Sequence, residues 1–197
     1  STLMAKKPTQ TARSSSIRII GGEWRSRKLT VPEAPGLRPT PDRVRETLFN
    51  WLAPTIQGAR VLDAFTGSGA LFLEALSRGA STGVAIDANT DAVNNLRRNL
   101  AVLQCDDAEV LRVDSLQYLS NKAEQGFDIV LLDPPFHQDL LLSACQLLED
   151  NNWLNKDAWI YTESEQAPSS LGVPSTWRLH REKHTGQVHY ALWQKVS

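Results

Sequence analysis

The sequence predicts an α/β protein, a mostly parallel sheet with helices on both of its faces. Three observations carry that prediction. Short apolar runs alternate with amphipathic stretches of helical spacing between residues 61 and 164. Four of those runs finish on an aspartate, at Asp63, Asp87, Asp114 and Asp133. Residues 177–196 alternate about Thr185-Gly186 in the manner of a hairpin. Strands that alternate with helices form a parallel sheet buried on both sides, and a terminal hairpin adds an antiparallel edge.

Each element has its own signal. Residues 1–16 form a basic tail that is polar and rich in Pro, Ser and Thr from residue 5 onward, a composition that predicts disorder. Ser1-Thr2-Leu3 precede Met4, the only methionine, and read as a vector-derived remnant. "IRIIGGEWRSRKLTV" (17–31) predicts two short strands around Gly21-Gly22. "APGLRPTPDRVRETLFNWLAP" predicts a loop and a helix with Asp42 as N-cap, Val44, Leu48, Trp51 and Leu52 on one face, and Pro54 as its stop. Residues 17–56 thus form an extension ahead of a main domain over 57–197.

That domain opens with the strand "RVLDAF", the turn Gly67-Ser68-Gly69 and a helix to Ser77 that ends at Gly79. "TGVAID" is its second strand, followed by a helix from Asn89-Thr90 with Val93, Leu96, Leu100 and Leu103 on one face. "AEVLRVD" is the third strand and residues 115–124 a short helix. "FDIVLLD" is the fourth, residues 139–149 are helical, and "AWIYTES" is the fifth. The hairpin completes seven strands.

Composition narrows the class. The chain is 41% hydrophobic and 22% charged, which suits a soluble globular protein. No apolar run approaches the ~18 residues of a membrane span, and no signal sequence is visible. Cys105 and Cys145 lack disulfide and metal spacing, so they read as small hydrophobes in a reducing cytoplasm. Net charge is −1, yet residues 1–60 hold 11 Lys/Arg against 4 Asp/Glu, and residues 61–197 hold 10 against 18. A basic arm on an acidic body points to phosphate contact, and the arm is rich in arginine with Trp24 among them.

In open α/β sheets, ligands bind beyond the carboxyl ends of the strands. Four aspartates at that edge exceed what helix caps require. Gly67-Ser68-Gly69 allows a tight turn and close ligand approach, but Phe72 stands where a dinucleotide-binding loop carries its third glycine. Asp87 lies 20 residues beyond Gly67, the separation at which a carboxylate meets ribose hydroxyls. An acidic lining repels pyrophosphate and suits a cationic nucleoside; S-adenosylmethionine has that character, with Asp114 and Ser115 facing its adenine.

"VLDAFTGSGALFLEAL", "VAID", "VLRVDS" and "LLDPPF", in that order, resemble class I S-adenosylmethionine-dependent methyltransferases, whose sheet is Rossmann-like and seven-stranded. Asp133-Pro134-Pro135-Phe136 resembles the [DNS]-P-P-[FYW] motif of the branch that methylates planar amino groups. "IRIIGGEWRSRKL" and "GLRPTPDRVRETLFNWL" are similar to the bacterial small-subunit (16S) rRNA guanine-N2 methyltransferases of the RsmD type, over Ile17 to Gln194. Thr66 and Phe72 are side-chain departures within the glycine loop.

The resemblance implies methyl transfer from S-adenosyl-L-methionine to the N2 amine of one guanosine in 16S rRNA, within the 30S subunit or an assembly intermediate. It implies a cytoplasmic monomer without a metal. Cofactor contacts fall to Asp63, Phe65, Gly67, Gly69, Asp87, Asp114, Ser115 and Asp133. Catalysis falls to Asp133, Pro134, Pro135 and Phe136, with the carboxylate and the Pro134 carbonyl accepting the amine hydrogens and Phe136 stacking on the base. Arg18, Arg25, Arg27, Lys28, Arg38, Arg43 and Arg45 are the expected phosphate contacts.

Other readings are DNA adenine-N6 or protein glutamine as target, a non-catalytic nucleic-acid-binding module, and a dehydrogenase. The chain has no room for a DNA-reading domain, Asp rather than Asn at 133 disfavours glutamine, and the glycine pattern disfavours a dehydrogenase. His137, His180, His184 and His189 lack metal spacing, with His137 adjacent to Phe136. Glu163 and Glu165 end a strand and read equally as substrate contacts or solvated positions. Trp153, Trp159, Trp177 and Trp193 read as packing.

Overall fold

The computed structural model describes residues 14–32, 40–135 and 139–196. Nine strands and five α-helices lie within them. Strands β1 (Ser14–Arg18) and β2 (Lys28–Pro32) form an antiparallel pair. Helix α1 (Asp42–Ile56) follows, then β3 (Arg60–Asp63), α2 (Ala70–Ser77), β4 (Thr82–Asp87) and α3 (Thr90–Val102). After these come β5 (Ala108–Arg112), α4 (Ser115–Leu119), β6 (Phe127–Leu132), α5 (Leu140–Asp150) and β7 (Leu154–Ser164). The hairpin β8 (Trp177–Thr185) and β9 (Val188–Lys195) closes the chain.

The large sheet has the order β5-β4-β3-β6-β7-β9-β8, with β3 to β7 parallel and β9 antiparallel to both neighbours. The order reverses between β3 and β6, so the two strands that end in Asp63 and precede Asp133 lie side by side. A period of two along each strand sorts side chains between two layers. Val61, Ile129 and Leu131 face α1 and α2, while Leu62, Val130 and Leu132 face α4 and α5. All six are fully buried, as strands covered on both faces require.

Phe72, in the position of a missing third glycine, packs over β4. A Cβ on Gly83 would come within 2.6 Å of the Phe72 ring, so the glycine on the strand replaces the one absent from the helix.

Four details depart from the sequence reading. The first strand begins at Ser14, inside the stretch expected to be a disordered tail. Asp42 is the first helical residue rather than the cap, and its carboxylate binds Arg45. Helix α1 passes through Pro54 to Ile56: Pro54 lies in the last turn. Trp24 is buried with Ile19, Leu29, Phe72 and Leu96, so it anchors the extension to the sheet instead of standing exposed among the arginines.

Candidate active site

The carboxyl edge of the sheet gathers the four aspartates as expected, but in different states. Asp63 is 2% exposed, and its Oδ2 accepts from Thr66 Oγ1 at 2.9 Å. Burial pushes this carboxyl up to about 7 against the hydrogen bond from Thr66, with the charge of Asp87 adding to the rise. Asp87, at the end of β4, accepts from Gly67 N at 2.8 Å and Asn89 N at 2.9 Å. Those bonds fix the glycine loop against the strand end. The loop itself needs Gly69: its φ is 82°, and a Cβ there would lie 2.6 Å from Leu96. Gly67 likewise sits at φ 52°.

Asp114 caps α4, its Oδ2 accepting from Gln117 N at 2.9 Å, and it is exposed. Asn89 caps α3, so of the four aspartates only Asp114 is a helix cap. Ser115 departs from expectation. It is buried, and its hydroxyl donates to the Ala64 carbonyl, tying α4 to the end of β3. That bond commits the hydroxyl to the scaffold. Phe65 packs half-buried against the core beneath the loop.

Asp133 follows β6 and is half-buried, with Pro134 buried behind it and Pro135 exposed. Phe136 and His137 lie outside the described residues, as does Arg38. Beside Asp133 stands a group that sequence reasoning left undecided. Strand β7 pairs Thr162 with Leu132, which sets Glu163 next to Asp133. Tyr161 Oη donates to Glu163 Oε1 at 2.7 Å and Thr40 Oγ1 donates to the same oxygen at 3.3 Å. The Thr40 hydroxyl is also 3.5 Å from Asp133 Oδ2. Burial, and after it the charge of Glu163, holds the Asp133 carboxyl well above the ordinary range. An apolar run in β7 that is followed by Thr162 and Glu163 was the available sequence signal.

Of the expected phosphate contacts, Arg18, Arg25, Arg27, Lys28 and Arg43 are exposed. Arg45 is not. It is 1% exposed and donates to the carbonyls of Arg18 (3.0 Å) and Thr40 (3.3 Å), to Glu74 Oε1 (3.2 Å) and to Asp42. Glu74, fully buried, accepts further from Ile20 N, Gly21 N and Arg78 Nε. The Arg45 charge is therefore spent inside the protein, joining the extension to α1 and α2. This corrects its assignment as an RNA contact.

The edge offers acceptors rather than cations. The carboxyl oxygens of Asp63, Asp87 and Asp133, set beside a loop shaped for close backbone approach, fit a ligand with hydroxyl and amine donors; they do not fit a pyrophosphate. Neither Asp133 nor Glu163 forms an ion pair with a described lysine or arginine. Among the described residues no cluster of metal-ligating side chains occurs and no helix is long and apolar enough to cross a membrane.

This topology, with a Gly-x-Gly loop after β3 and an Asp-Pro-Pro step after β6, is that of a class I S-adenosylmethionine-dependent methyltransferase. The comparisons narrow the class. The family model described as "Conserved hypothetical protein 95" matches residues 17–194, and the chain belongs to that family. "Ribosomal RNA small subunit methyltransferase D" of Escherichia coli (strain K12) is 52% identical, covering 98% of this chain and 96% of that one. Its counterpart of the same name in Haemophilus influenzae is 47% identical over 97% and 100% of the two chains. The solved "Putative methyltransferase yhhF from Escherichia coli" superposes with a TM-score of 0.86 at 51% identity, covering 93% and 99%.

Proposed function

We propose that the protein methylates the exocyclic N2 amine of a guanosine in 16S rRNA, and that it meets this RNA in the 30S subunit or an assembly intermediate. The observation that carries the reading is the placement of Asp133 and Pro134 at the carboxyl end of β6, next to the Asp63 and Asp87 edge. S-adenosylmethionine supplies the methyl group on a sulfonium leaving group. Asp87 accepts from the ribose, and the Gly67–Gly69 loop makes room for the cofactor.

A guanine amine is a weak nucleophile because its lone pair is delocalised into the ring. Acceptors on both of its hydrogens favour a pyramidal nitrogen and return that lone pair. Asp133 is one acceptor and the Pro134 carbonyl the other; the two prolines hold the backbone extended before substrate arrives. Catalysis is then positioning and electrostatics more than strong-base chemistry. Phe136 stacks on the extruded base, whose release from its neighbours costs a few kcal/mol and least when unpaired.

The extension over 17–56 carries the RNA. Exposed Arg18, Arg25, Arg27, Lys28 and Arg43 meet phosphates and set register, while the shape of the particle selects the nucleotide. The protein acts as a cytoplasmic monomer in this reading.

Labelled methyl transfer to small-subunit RNA or particles, followed by nucleoside digestion, tests it. The label is expected in N2-methylguanosine. Label in any other nucleoside, or none with either substrate, overturns the proposal.

A further inference from the structure

Glu163 is 7% exposed, lies beside Asp133 and has no described cationic partner. An isolated buried carboxylate is costly unless donors surround it. Tyr161 and Thr40 provide two donors, both aimed at Glu163 Oε1. That serves one negative charge. Among the described residues, a second charge on Asp133 would have only the more distant approach of the same Thr40 hydroxyl, which carries a single proton. The two carboxyls stand side by side with one hydroxyl approaching both, and burial first of all raises each above the ordinary carboxylate range. The placement of the donors favours the charge on Glu163 and leaves the proton to Asp133.

We infer that Glu163 is a positioning residue that receives, through Asp133, the proton released by methyl transfer. The step rests on the amine-methylation reading above. As the amine nitrogen forms its bond to the methyl carbon, the carbon–sulfur bond breaks and its electron pair stays on sulfur. The nitrogen becomes cationic and releases one N–H proton to the outward oxygen of Asp133. The proton between the carboxyls moves to Glu163. Asp133 ends as neutral as it began, and the charges of the new cation and of Glu163 cancel. The proton later leaves to water once product has gone and Asp133 is open again.

The surroundings agree. Tyr161 from β7 and Tyr190 from β9 face the pair, and burial, followed by the charge of Glu163, raises both phenols. Asp63, at the end of β3, adds repulsion at Asp133, and Thr40, at the entry to α1, opposes it. Burial raises Glu163, whereas the hydrogen bonds from Asp133, Tyr161 and Thr40 lower it.

The test is a carboxyl carbon-13 NMR titration of aspartate-labelled protein, wild type against Glu163→Gln, with turnover and cofactor affinity measured alongside. In Glu163→Gln the high titration of Asp133 should move down, turnover should drop about a hundredfold, and cofactor affinity should hold. Asp133 titrating unchanged, or undiminished turnover, overturns the inference. Tyr161→Phe removes a donor from Glu163 alone, so the acid limb of the turnover–pH profile should move to higher pH; an unmoved limb is equally fatal. Should wild type methylate some acceptor other than a guanine amine, the functional reading fails, while the paired titration remains separately readable.

Discussion

Arg45 is the point at which charge, fold and site meet, and its replacement by methionine has a calculable consequence. Methionine keeps much of the apolar stem and removes every donor. Two backbone carbonyls, of Arg18 and Thr40, lose a partner, each worth about 1 kcal/mol. Glu74 loses one charge-assisted bond, worth roughly 1.5–3 kcal/mol, but keeps Arg78 and two amides, so it is not left bare. Asp42 is 70% exposed, and its bond to Arg45 adds little once solvent screening is considered. The expected loss is about 3.5–5 kcal/mol. For a domain of this size that lowers Tm by about 7–20 °C. Urea and thermal unfolding measure it. A loss below about 1 kcal/mol would refute the buried-network account, and so would a variant of wild-type stability whose RNA binding loses salt dependence, since that is the signature of a phosphate contact.

The remaining predictions address the cofactor edge and the arm. Asp63 titrates at about 7 when folded and near 3.8 as a free group, so its neutral form favours the fold below the lower value. That contribution fades as pH rises from about 4 through about 7, amounting to a few kcal/mol across the window. Relative to Asp63→Asn, cofactor-free wild type should therefore lose stability between pH 5 and 8; a constant difference contradicts the buried-acid assignment. Asp87→Asn should weaken S-adenosylmethionine binding by calorimetry by about tenfold or more, and unchanged binding removes its ribose role. Replacing Arg18, Arg25 and Lys28 with glutamine should reduce the slope of log affinity for rRNA against log salt by about 0.7–0.9 per residue. An unaltered slope moves the footprint elsewhere.

The strands and their order of helices were legible because burial on both faces leaves an unmixed apolar signal: "TGVAID" is β4 to the residue. Ends set by local chemistry were less so. Pro54 reads as a stop, yet the helix continues around it for two more residues. Trp24 and Arg45 share one cause of misreading. A one-dimensional sequence shows an arginine-rich arm with an aromatic in it, whereas folding turns Trp24 into the core and pairs Arg45 with Glu74, 29 residues away. The aspartates at 63, 87 and 133 were readable from their place at strand ends. Their inequality was not, because it depends on neighbours across the sheet: Thr66 for Asp63, Glu163 and Thr40 for Asp133. Glu163 illustrates the limit. Only strand register shows that a glutamate after an apolar run in β7 lies beside the carboxyl that follows β6.

The central claim, methylation of a guanosine N2 in 16S rRNA through Asp133, is tested most directly by mass mapping of rRNA from cells lacking this protein. One N2-methylguanosine in 16S rRNA should disappear, return with the wild-type gene, and stay absent with Asp133→Ala. An unchanged 16S rRNA modification pattern, or full restoration by Asp133→Ala, would contradict the account.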